Sequence, residues 1–315
     1  MNMPCTHHTQ KNKIMALLFE SFKEWQNHCE TNNEPLYKSV LEYEIELRGK
    51  SETQIFENLS KAYGVMKDAV ETGLKEEMIS RSGMINNGAK KVYRYPTPVL
   101  SIEFQHLIAR SLAAKEVNSC MGRIVAAPTA GASGILPGTL YTLQEIHNIE
   151  EHKILEGLLV AAGIALIIEQ NASLAGAVGG CQAETGSAAA MASGAMVYCL
   201  GGDINQVFGA VAITIQCMLG LVCDPVAGLV EVPCVVRNAS AAAIAFSSAQ
   251  ISLANVSAVI PVDECVAAMG EIGQSMESRY KETALGGLAA TKTGQQISKR
   301  VLIHDIEMLD DEEEK

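Results

Sequence analysis

Nine cysteines punctuate this 315-residue chain, and three of them sit where a thiol can do chemistry. Cys181 lies in Gly179-Gly180-Cys181-Gln182-Ala183-Glu184, Cys223 opens Cys223-Asp224-Pro225-Val226-Ala227-Gly228, and Cys234 closes Val232-Pro233-Cys234. Backbone beside Gly or Pro departs from regular helical hydrogen bonding, so sulfurs held there can converge on one point. Cys223 stands 42 residues after Cys181, and Cys234 stands 11 after Cys223. That spacing matches neither the Cys-x-x-Cys pairs of zinc sites nor a ferredoxin run, so passive thiols and metal ligands both stay open. Residues 154–280 contain no lysine and no histidine. A pyridoxal-phosphate enzyme needs a Schiff-base lysine and a zinc hydrolase usually needs histidines. Chemistry in this segment would therefore rest on soft thiolates, which suit iron–sulfur clusters. Three protein ligands on a four-iron cluster would leave one iron as a Lewis acid.

The other cysteines read as passive. Cys5 and Cys29 lie in the polar N-terminal part, Cys199, Cys217 and Cys265 inside apolar helical stretches, and Cys120 at a helix end. With so many thiols and no apolar h-region after Met1–Gln10, a reducing, cytoplasmic setting is expected. A net charge of −12 offers no phosphate-tracking face, so no nucleic-acid partner is expected. Leu158–Ile168 is too short to span a bilayer and Val207–Cys223 is interrupted by Thr214 and Gln216, so no membrane partner is expected either.

The elements that must position these thiols read as helices. Hydrophobic residues make up 48% of the chain but aromatics only 5%, with 26 glycines, which favours closely packed helices over a β-sandwich. The expected fold is all-α: a small helical N-terminal region (1–75), an Ala/Gly-rich catalytic domain (76–300) and a solvated, frayed acidic tail (301–315). An α/β fold is the runner-up, because short apolar runs do not separate strand from helix. In the N-terminal region Met15, Leu18, Phe22 and Trp25 recur at helical spacing until Asn32-Asn33-Glu34-Pro35. A second helix runs from Leu36 to Arg48 and stops at Gly49; a third follows the capping box Ser51-Glu52-Thr53-Gln54, with Ile55, Leu59, Ala62, Met66 and Val70 on one face, and ends at Gly73. Residues 82–95 read as a polar connection, Thr97-Pro98 as the start of a helix running to Asn118, and Asp203 and Asp263 as N-caps. The Gly-rich loop 124–138 lets backbone approach a ligand closely.

Ala127-Pro128-Thr129-Ala130-Gly131, the Gly179–Glu184 turn with Gly186-Ser187, the unbroken run Gly220–Cys234 and the closing Gly286-Gly287-Leu288-Ala289-Ala290-Thr291 together closely resemble the iron–sulfur-dependent L-serine dehydratase family, over roughly residues 80–295. The chain length resembles the alpha subunit of the split, two-chain form. The resemblance implies a [4Fe-4S] cluster on Cys181, Cys223 and Cys234, conversion of L-serine to pyruvate and ammonia, a beta subunit as partner, and an oligomer. For the base it leaves Glu184 or, preferred here, a group from the beta chain. Thr129, Ser133 and Ser187 are the candidates for binding the substrate carboxylate. Two departures touch loop geometry: Asn86-Asn87-Gly88 replaces a glycine pair with aspartate, and Lys292 replaces a proline. No cysteine follows Cys265, so a C-terminal thiolate closing the open iron is not expected from this chain. The rivals are a cluster-dependent L-cysteine desulfidase-like lyase and a non-catalytic iron–sulfur protein.

Overall fold

A computed structural model describes residues 19–97, 99 and 101–313, with side chains up to residue 303. Thirteen α-helices occur among the described residues: α1 Phe22–Asn32, α2 Leu36–Arg48, α3 Glu52–Lys75, α4 Gly88–Tyr93, α5 Ile102–Ser119, α6 Ile135–His147, α7 Glu151–Asn171, α8 Gly176–Gly179, α9 Ser187–Cys199, α10 Ile204–Met218, α11 Cys234–Leu253, α12 Val262–Ser275 and α13 Lys292–Glu313. The described residues form no β-strand, only isolated bridges Ile79–Asn86 and Cys223–Lys281. The fold is all-α, as the composition implies.

α9 is the centre. All thirteen of its residues are buried, and it packs against α7, α10, α11 and α6. Its sequence, Ser-Ala-Ala-Ala-Met-Ala-Ser-Gly-Ala-Met-Val-Tyr-Cys, is small on every side, which lets four helices close on it. α7 is long and apolar enough to cross a membrane by length and composition, longer than Leu158–Ile168 alone suggests. Here its apolar residues are spent on the core, with Ile154, Val160, Ile164 and Ile168 fully or almost fully buried. The same core takes in Phe22 and Trp25 of α1 and Phe208 of α10, whose rings meet at 5.1–5.5 Å. Met15, Leu18 and Cys5 lie outside the described residues.

Local signals hold well. Asn33 and Gly49 end their helices in the left-handed conformation, and both the Ser51–Gln54 and Asp203–Gln206 capping boxes are formed. Five expectations need correction. α3 runs through Gly73 to Lys75, because Gly73 is a packing residue rather than a stop. A Cβ there would stand 2.7 Å from Ala113 Cα and C, and closer still to its carbonyl oxygen. α5 is capped by Ser101, whose Oγ accepts from Phe104 N–H, and not by Thr97; Pro98 lies outside the described residues. Asp263 sits inside the first turn of α12, and its carboxylate instead accepts from the N–H groups of Phe22 and Lys23 at the start of α1. Residues 82–95 contain the short helix α4. The acidic run also differs: backbone helix continues to Glu313, in keeping with the helix propensity of Glu.

Because the α3–α5 crossing has no room for a methyl, Gly73→Ala is expected to destabilise the fold by about 1–3 kcal/mol. A thermal melt checks this; an unchanged midpoint would refute the close crossing.

Candidate functional site

The chain between α8 and α9 widens from α-helix into a π-turn, Gln182–Gly186, with Cys181 at its head. π-turns inside helices frequently mark functional sites. Here the turn fixes Cys181 and Glu184 on one wall. Gln182 anchors it, donating from Nε2 to Met269 O and accepting at Oε1 from Gly220 N–H. The second wall is the 220–234 segment. Cys223 N–H donates to Tyr280 O at 2.8 Å, and Glu282 N–H donates to Cys223 O at 2.9 Å. Asp224 ion-pairs with Arg237 at 2.9 Å and accepts from Leu288 N–H at 2.7 Å. Gly287, at φ +56°, is required there: a Cβ would stand 2.6 Å from Asp224 Cβ. Cys234 is the first residue of α11.

The structure brings Cys181, Glu184 and Cys223 together, with a ligand atom of each within 4.8 Å of the others. Cys234 stands outside that group but is buried, and the Cys181 charge acts on it. Hydrogen bonding with Cys223 lowers the Cys181 thiol to about 7, aided by Thr185 and Arg237 against the cost of burial. The same interaction and burial push Cys223 up, and burial pushes Cys234 up to about 12. Three buried thiols make a donor set whose chemistry fits an iron–sulfur cluster. Cys29, Cys199 and Cys265 are buried in helices, Cys217 is exposed, and Cys120 ends α5.

The Gly-rich loop forms the third wall. Thr129 Oγ1 donates to Glu184 Oε1. A Cβ on Gly131 would stand 2.7 Å from Glu184 Cδ and 2.8 Å from Oε2. Close approach is thus what the glycine permits, and the group approached is a carboxylate. Asn238 pins the loop, donating from Nδ2 to Gly131 O and Cys234 O while Oδ1 accepts from Gly134 N–H. Burial raises the Glu184 carboxyl, and the charge of Glu282 adds to this. Ser133 and Ser187 are buried, and neither hydroxyl has a hydrogen-bond partner among the described residues. Of the two departures, Asn87 takes φ +53° and its Oδ1 accepts from Met78 N–H, while Gly88 meets Glu116. Lys292 is exposed at the first position of α13, behind Thr291, whose Oγ1 accepts from Gly294 N–H.

Sequence reasoning missed three polar residues here. Lys115 is fully buried on α5 and donates to Asn118 Oδ1 and Val230 O, fixing the 220–234 segment. Glu231 is buried and accepts from the Ser80 and Ser82 hydroxyls at 2.6 Å. Glu231 lines a cavity of about 800 Å³ whose walls also include Ser80, Ser82, Gly131 and Val230 but none of the three cysteines. The third, Glu282, is exposed next to the second wall, its N–H bonded to Cys223 O. A charged residue inside Ala113-Ala114-Lys115 was the available signal for the first.

The serine dehydratase alpha-chain family model matches residues 31–289. The chain belongs to that family. An L-serine dehydratase alpha chain of Peptoniphilus asaccharolyticus is 44% identical over 277 residues, covering 87% of this chain and 95% of that one. A probable L-serine dehydratase alpha chain of Bacillus subtilis (strain 168) is 42% identical, over 83% of this chain and 88% of its own. L-serine dehydratase 2 of Escherichia coli (strain K12) is 34% identical over 86% of this chain, which spans 61% of that longer polypeptide. The family match spans the segments that form all three walls described above.

Proposed function

We propose that this chain, paired with a beta chain, converts L-serine to pyruvate and ammonia using a [4Fe-4S] cluster held by Cys181, Cys223 and Cys234. The observation that carries the reading is the convergence of Cys181, Cys223 and Glu184 beneath the Gly-rich loop, with Cys234 buried alongside. The names of the relatives supply serine as substrate and, through "alpha chain", the partner. When bound, the cluster would supply a Lewis-acidic iron to help the β-hydroxyl leave. The chain's own residues do the positioning. Thr129 and Gly131 fix the Glu184 carboxylate, and the unpartnered Ser133 and Ser187 hydroxyls are the donors for the substrate carboxylate. Glu184 holds or moves a proton within the site; the base at Cα comes from the beta chain. Thiolates of this kind belong in a reducing compartment, here the cytoplasm.

The test is serine-dependent pyruvate formation by anaerobically prepared protein, with and without the cognate beta chain. Turnover is expected with the beta chain and little without it. Full activity from this chain alone would refute the partner-supplied base. Turnover of L-cysteine but not L-serine would favour the desulfidase-like lyase, and iron with no lyase activity the non-catalytic protein.

A further inference from the structure

One guanidinium touches all three cysteine-bearing segments. Arg237 stands three residues after Cys234 on α11, the spacing that puts two side chains on one helix face. Its Nη1 donates to Val222 O at 2.8 Å and its Nη2 pairs with Asp224 Oδ1 at 2.9 Å. Those two residues flank Cys223. Asp224 is held in turn, its Oδ2 accepting from Leu288 N–H at 2.7 Å. The third segment is the π-turn. Burial would lower the Arg237 guanidinium, but the charges of Cys181 and Asp224 and a hydrogen bond to the Cys181 sulfur raise it. The Arg237 side chain is 17% exposed, and it lines a cavity of about 370 Å³ together with Cys217, Gly220 and Ser240. A small cation can reach its place from that side.

We infer that Arg237 is a positioning residue for the cluster, a guanidinium that ties the Cys181, Cys223 and Cys234 segments together and offsets the charge of their thiolates. The inference deepens the proposed function and rests on it. A four-iron cluster on three thiolates is net negative, and burying that charge is costly unless a cation is held beside it. Hydrogen bonds to the sulfurs and nearby charge also set how readily such a cluster takes up an electron. Groups that orient the ligands govern how firmly the metal is kept. Lysine at this position would supply the charge but not the planar fork that meets Val222 O and Asp224 together. Lys115 also acts on Cys234, yet its own hydrogen bonds go to Asn118, Ser119 and Val230, so it ties no thiol to another.

The experiment uses the anaerobically loaded complex with its beta chain, as wild type, Arg237→Gln, Arg237→Lys and Arg237→Ala. Iron content, the rate of iron transfer to an external chelator, the cluster's reduction midpoint and the circular dichroism spectrum are measured for each. Arg237→Gln should keep the helical spectrum but lose iron roughly tenfold faster than wild type, the scale of effect of removing an outer partner of a metal ligand. Its reduction midpoint should fall, because the added electron no longer meets a fixed positive charge. Arg237→Lys should hold the midpoint near wild type, since the charge stays, while iron loss lies between the two. In Arg237→Ala, guanidinium chloride should slow iron loss where sodium chloride at equal concentration does not. Wild-type iron retention and midpoint in Arg237→Gln would overturn the inference. So would a midpoint in Arg237→Lys as low as in Arg237→Gln, or no response to guanidinium. Loss of helical signal in every variant would overturn it too, by making Arg237 a general support of the fold. A wild-type complex that holds no iron would instead sink the proposed function.

Discussion

Cys181→Ala, Cys223→Ala and Cys234→Ala are each expected to take anaerobically prepared protein from about four irons and four sulfides per chain to almost none, with loss of the visible absorption. Cys199→Ala and Cys217→Ala should leave iron unchanged. The contrast follows from placement. Cys199 donates to Lys153 O inside the α7–α9 contact and burial holds its thiol protonated, while Cys217 is exposed on α10. The three thiols proposed as ligands are buried at the junction of the π-turn, the 220–234 segment and the start of α11. Cys234→Ala is the most informative arm. Cys181 and Cys223 lie within 4.8 Å of a Glu184 oxygen, whereas Cys234 lies outside that group. Iron retained in Cys234→Ala but lost in the other two would reassign the third ligand to Glu184. Normal iron in all three would sink the cluster assignment.

What could be read beforehand from these residues, and what could not, divides along chain distance. The Ser51 and Asp203 capping boxes and the Asn33 and Gly49 C-caps are satisfied within one turn, so a few adjacent residues specify them. Asp263, like Asp203, precedes an apolar helical stretch, but its carboxylate is taken by α1, 240 residues away, and no local pattern encodes that. Gly73 has the same limit: as a residue type it reads as a helix stop, and only the approach of Ala113 makes it a packing residue. In the site, the turns that free each thiol from helical geometry are visible in Gly179-Gly180 and in Pro233. Glycines 131 and 134 announce a close approach, yet the groups approached, Glu184 and the Ser111 carbonyl, come from other segments. Lys115 and Glu282 were hidden for the same reason. Neither sits beside a thiol in sequence, and each reaches the site through contacts made by Val230 and Cys223.

Gly131→Ala is expected to cost about 10²-fold in serine turnover by the assembled complex while leaving iron in place, the scale of loss that follows when a positioned group moves by about an ångström. The added Cβ would lie 2.7–2.8 Å from Glu184 Cδ and Oε2, and closer to Oε1. The carboxylate cannot absorb this by rotating. Thr129 holds Oε1, and its neighbour Ala132 N–H donates back to the Thr129 hydroxyl. The loop cannot retreat easily either, since Asn238 ties Gly131 O and Gly134 N–H to α11. Either Glu184 is displaced from the group it forms with Cys181 and Cys223, or the loop that carries Thr129 and Ser133 shifts. Both outcomes damage the chemistry, and neither touches a thiol directly. Gly64→Ala is the control: that helical glycine faces open space, so the change should leave activity intact and, by helix propensity, add up to about 1 kcal/mol of stability. Wild-type turnover in Gly131→Ala would show that the Thr129–Glu184 pair has no part in the reaction. Iron loss in the same variant would show instead that the loop, through Asn238 and Cys234, holds the cluster in place.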